Sequence, residues 1–210
     1  MRPEAVQAGP AAARRVLVLG LGNPILGDDA AGLAVAADLE ARLACRPQPG
    51  VEVRTSARGG FELIDLMAGF PRAVLVDSLT VPDPVPGRIR RLALDDVAGS
   101  ARLVCGHEIH VATAFDLASR LAIPMPRTVT IYGIEIADAT TFGEGLTPPV
   151  AAAARELVER IWIELQTRPG EPAADFPPAR SGARSPAAAP RETNVQECLL
   201  MGGPSEDNIT

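Results

Sequence analysis

Short, wholly apolar runs alternate along this chain with longer stretches whose apolar residues recur every three or four positions. Val16-Leu17-Val18-Leu19 is such a run and predicts a buried strand. Residues 29–43 follow with Leu33, Ala36, Ala37, Leu39 and Leu43 at helical spacing, which predicts a helix with one apolar face. The same logic assigns a second strand at 51–55 and a short helix at 61–68 with Leu63, Leu66 and Met67 inward. Ala73-Val74-Leu75-Val76 makes a third buried strand at 72–77, ending on Asp77. An edge strand is expected at 87–92, a helix at 110–121, a strand at 129–136 and a closing helix at 149–165. Strands alternating with helices imply right-handed crossovers. The expected fold is therefore α/β, a three-layer α/β/α sandwich around a mostly parallel twisted sheet.

The densest signal sits where the first strand hands over to the first helix. Gly20-Leu21-Gly22-Asn23-Pro24-Ile25-Leu26-Gly27 is followed directly by Asp28 and Asp29. Glycine at a strand end lets the chain turn tightly and approach other groups closely. A dinucleotide-binding fingerprint fails here, because Ile25 stands where its third glycine belongs and no acidic residue ends the second strand suitably. A phosphate-binding P-loop fails too, because the chain contains no lysine. The plain reading is a tight turn in which one of the two aspartates caps the helix. Capping does not require both.

Composition changes this picture mainly at the ends. The 210 residues are 47% hydrophobic and 22% charged, which suits one domain with a sizeable core. Residues 1–14 read as a flexible arm, 15–167 as the domain and 168–210 as a disordered tail rich in Pro, Ala, Gly, Ser and Arg. A formal net charge of -6 and scattered arginines argue against a nucleic-acid surface. No apolar run suits a membrane span, and no signal peptide is visible. Cys45, Cys105 and Cys198 form neither a disulfide framework nor a metal knuckle, so a reducing cytoplasm is expected.

Polar residues then gather at one end of the expected sheet. Asp28 and Asp29 follow the first strand, and Asp77 closes the third. His107 and His110, the chain's two histidines, flank Glu108 just before or at the start of a helix. Two carboxylates and an imidazole on separate connections make an O, O, N set for a divalent metal with open positions. Each residue alone is as well explained by an ordinary loop or capping role; their joint placement is what points to a site. Cys105 reads as a small buried residue, Asp95 and Asp96 as a solvated turn, and Glu135 and Glu144 as minor candidates for lining the cleft.

These residues resemble the hydrogenase maturation endopeptidases, which trim the large subunit of nickel–iron hydrogenases. The matching features are Gly20-Leu21-Gly22-Asn23, the Asp28-Asp29 pair with Gly32, the strand ending Val74-Leu75-Val76-Asp77, His110 ahead of Asp116-Leu117, and Gly145-Leu146-Thr147-Pro148. The resemblance covers roughly residues 15–165. It implies that Asp29, Asp77 and His110 bind a metal and carry catalysis, and that His107 lies outside the site. It further implies that nickel already inserted in the large-subunit precursor is the recognition signal, and that a short C-terminal extension is then removed. A monomer acting in the cytoplasm is implied as well. Asp29 stands where some relatives carry Glu, and the loop from Thr55 to Glu62 departs from the Asp-Gly-Gly of others. Peptidyl-tRNA hydrolases share the opening Gly20-Leu21-Gly22-Asn23-Pro24, but their catalytic histidine comes soon after it, whereas here the first is His107. The alternative outside catalysis is a docking module of the same fold that binds the nickel-loaded precursor without cutting it.

Overall fold

The computed structural model describes residues 15–57, 60–92, 94 and 111–166. The arm, the tail, and both histidines with Glu108 and Cys105 lie outside the described residues, as do Asp95 and Asp96. Among the described residues the order is β1 (Val16–Leu21), α1 (Ala31–Cys45), β2 (Val51–Ser56), α2 (Glu62–Met67), β3 (Arg72–Leu79), β4 (Ile89–Leu92), α3 (Val111–Arg120), β5 (Thr128–Glu135) and α4 (Pro148–Gln166). The strands form one sheet in the order β2-β1-β3-β5-β4. All pairings are parallel except that of β4, which runs antiparallel along β5 and closes that edge.

Helices cover both faces, giving the expected three layers. Even-numbered β1 and β3 positions such as Val18, Val74 and Val76 pack with Val35 and Leu39 of α1 and with Leu157 and Ile161 of α4. Odd-numbered positions such as Leu17, Leu19 and Leu75 pack with Leu63 and Met67 of α2 and Ala114 and Ala118 of α3. The period-2 alternation of strand side chains is what lets one apolar run serve two cores. No described helix is long and apolar enough to cross a membrane.

The first helix lies unusually close to the sheet. A Cβ at Gly32 would stand 2.2 Å from the Leu21 carbonyl oxygen and 2.3 Å from that of Val76. Only glycine permits this approach, which seats the start of α1 over β1 and β3. Gly22 has φ +149°, and a Cβ there would fall 2.1 Å from the Asp29 carbonyl oxygen. These two positions bring the Asp28-Asp29 segment back over the end of its own strand.

Three local expectations need correcting. β3 does not end at Asp77 but continues through Ser78 and Leu79, paired with β5 as far as Glu135. Neither aspartate caps a helix: residues Gly27–Ala30 form a 3₁₀ turn, and the α1 N-cap is Ala30, without a side-chain bond. Asp29 stands one position and Asp28 two positions ahead of that N-cap. Cys45, read from its spacing as outside any disulfide framework, is disulfide-bonded.

Candidate active site

The strand order fixes where a site belongs. From β1 the chain crosses by α1 to β2 on one side, whereas from β3 it leads on to β4 and β5 on the other. Connections leaving adjacent strands in opposite directions open a crevice at their carboxyl ends. Asp28 and Asp29 stand just past β1, and Asp77 lies near the end of β3. All three are buried.

Ser78 bonds to Asp29 through its side chain and to its own chain neighbour Asp77 through its backbone. Ser78 Oγ donates to Asp29 Oδ1 at 2.5 Å. The Ser78 backbone N–H donates to Asp77 Oδ1 at 2.8 Å. β1 pairs with β3 only as far as Gly20 opposite Val76, so Ser78 lies beyond the last rung, and a carboxylate receives its amide. Asp29 also accepts the Asn23 N–H on Oδ2 at 3.1 Å, while Asn23 Oδ1 accepts the Ile25 N–H at 3.2 Å. The Asn of the opening motif thereby braces the loop that carries Asp29.

Asp28 faces elsewhere. Its two oxygens accept the Thr147 N–H at 2.6 Å and the Thr147 hydroxyl at 2.8 Å. Thr147 immediately precedes α4, and its carbonyl accepts the first helical bond, from Ala151, at 2.8 Å. Pro148 at the first helical position loses nothing by lacking an N–H. Asp28 thus ties the connection after β1 to the start of α4. The same two loops exchange backbone bonds, Gly27 N–H to the Gly143 carbonyl at 3.0 Å and Gly143 N–H to the Ile25 carbonyl at 3.1 Å.

Glu135 does not line the cleft. It is fully buried at the end of β5, where it accepts the Val85 N–H at 2.7 Å and Arg90 Nε at 2.5 Å. Its role is to hold the loop after β3 against the sheet. Glu144 is exposed. At the opposite end of the sheet, Glu164 of α4 accepts the Tyr132 hydroxyl at 2.7 Å and pairs with Arg72. Burial, then the hydrogen bond and charge of Glu164, push the Tyr132 phenol well above its ordinary value.

No group of three or more His, Cys, Asp or Glu arranged for a metal occurs among the described residues. Asp29 and Asp77 supply two oxygen-donor carboxylates, and His110, the third expected member, lies outside those residues. Val111, which follows His110 in sequence, is buried in the cluster of Ala73 and Leu75. Strand alternation places Asp77 on that same face. Sequence reasoning missed Ser78, whose role is tertiary; its one sequence cue is a hydroxyl directly after an expected site carboxylate.

Comparison with known proteins bears on the family and the fold. A model of the hydrogenase maturation protease family matches residues 33–164, beginning just after the Asp28-Asp29 pair. The chain is 28% identical over 153 residues to the hydrogenase 2 maturation protease of Escherichia coli K12, spanning 72% of this chain and 91% of that one. The structure of the hydrogenase maturating endopeptidase HybD from E. coli aligns at 26% identity with a TM-score of 0.59, over 72% of this chain and 91% of that one. HybD, a NiFe hydrogenase maturation protease from Thermococcus kodakarensis, aligns at 25% identity with a TM-score of 0.54, over 73% and 99%. With the family model matching more than half of the chain and the relatives sharing its fold, the chain belongs to the hydrogenase maturation proteases, which are peptide hydrolases.

Proposed function

We propose that this protease removes the C-terminal extension of a nickel–iron hydrogenase large-subunit precursor, and that nickel carried by the precursor is what it recognises. Asp29, Asp77 and His110 are the residues assigned to hold that nickel. What supports the reading is that Asp29, just past β1 and held by the Ser78 hydroxyl, and Asp77, near the end of β3, are both buried at the carboxyl-end side of the sheet's switch point.

The donor chemistry fits. Nickel accepts carboxylate and imidazole ligands and tolerates positions filled by other groups. A divalent cation is a favourable partner for carboxylates buried in a site of low dielectric. The protein's own groups leave the set incomplete, so a nickel that arrives with its own ligands completes it. In this account Asp29 and Asp77 orient the nickel-bearing end of the precursor, and the bound ion sets the adjacent peptide in one place for hydrolysis. Asp28 keeps the wall of the cleft in position through Thr147.

The test is intact-mass measurement of purified nickel-loaded precursor after incubation with the protease. Loss of the C-terminal extension with wild-type protein, and its retention with folded Asp77→Asn, is the expected pair of results. An amide oxygen is neutral and a far weaker partner for a divalent ion. Retention with both proteins would favour a docking module that does not cut.

A further inference from the structure

We infer that Ser78 is a positioning residue for the nickel-recognising carboxylates, an inference that rests on the proposed reading of Asp29 and Asp77. Its hydroxyl holds Asp29 Oδ1 at 2.5 Å across the fold, while its amide bonds locally to Oδ1 of its chain neighbour Asp77 at 2.8 Å. Asp29 lies in the connection after β1, whereas Asp77 and Ser78 lie within β3. Ser78 is 2% exposed and shares the face of Val74 and Val76, where a hydroxyl without a partner would be costly. A serine on this apolar face is therefore better explained by its bond to Asp29 than by packing.

The bonds leave capacity for a ligand. A carboxylate offers about four lone-pair sites. Asp29 uses Oδ1 for Ser78 and Oδ2 for Asn23, and each oxygen retains a second lone pair. The carboxylate is thus fixed in rotation without being consumed. Groups that orient metal-binding side chains in this way typically cost ~10–100-fold in metal affinity or activity when removed.

The experiment compares wild type, Ser78→Ala and Ser78→Thr in three measurements: calorimetric titration with nickel(II) alone, kcat/KM for cleavage of nickel-loaded precursor, and the thermal midpoint. Ser78→Ala is expected to weaken nickel binding and lower kcat/KM by ~10–100-fold each. Ser78→Thr, which retains the hydroxyl, is expected to recover most of both. A merely structural serine would move the midpoint and leave the nickel affinity of the folded protein alone. Unchanged affinity in Ser78→Ala, or a loss that Ser78→Thr fails to recover, overturns the role of Ser78. Wild-type protein that neither binds nickel nor cleaves overturns instead the reading beneath it.

Discussion

Asp28 takes both the backbone N–H and the hydroxyl of Thr147, a residue 119 positions away, while its neighbour Asp29 turns to Ser78. Two adjacent acids of one short turn therefore serve different ends. Asp28 belongs to the frame and Asp29 to the proposed site.

That division predicts opposite phenotypes. Asp28→Ala removes two hydrogen bonds to a charged group, each worth ~1.5–3 kcal/mol. Denaturant unfolding should show a loss of at least ~1.5–3 kcal/mol, with nickel affinity largely retained. Asp29→Asn should show the reverse, near-native stability with cleavage abolished. Equal stability loss in the two variants would contradict the separation.

The Glu135 cluster gives a second contrast. Glu135 is fully buried, whereas Arg90 is 42% exposed along its side chain. Glu135→Gln removes the buried charge and leaves arginines that water can solvate. Arg90→Ala instead leaves a buried carboxylate short of its partner, a change that costs ~3–5 kcal/mol in buried pairs. Urea titration should find Arg90→Ala the more destabilising of the two, at the low end of that range because Arg90 is itself part-exposed. The opposite order would contradict this account of the Glu135–Arg90 pair.

Tyr132 predicts the alkaline limb of stability. Burial and then Glu164 raise its phenol above the ordinary 10.0. A group whose value is raised by folding contributes stability that is complete below the unfolded-state value and erodes as pH rises above it. The chain has one tyrosine and no lysine, so few other groups titrate in that window. Stability measured from pH 9 to 11 should fall in wild type and stay flatter in Tyr132→Phe, whose own cost near neutrality is ~1 kcal/mol. Parallel slopes for the two proteins would refute this.

Periodicity made the frame legible. The apolar runs at Val16 and Ala73 placed β1 and β3, and the glycines around Gly22 marked the turn that carries the site. Less accessible was anything set by partners distant in sequence. The two-aspartate turn reads as a capping motif because its 3₁₀ geometry depends on the backing of Gly22 and Gly32 by β1 and β3. Ser78 reads as the residue after a strand because its hydroxyl acquires meaning only once Asp29 is folded against it. Glu135 reads as a cleft residue because only the β4 pairing brings Arg90 onto it. Pairwise chemistry across the fold escapes local pattern, whereas the elements that bring it together do not.

The central claim is recognition through the precursor's own nickel. It is tested most directly by incubating the protease with nickel-loaded and nickel-free large-subunit precursor side by side and reading intact mass over time. The account predicts that the loaded form alone loses its C-terminal extension, and that Asp29→Asn, Asp77→Asn and His110→Ala leave it whole while His107→Ala does not. Equal trimming of both forms by wild-type protein would contradict it.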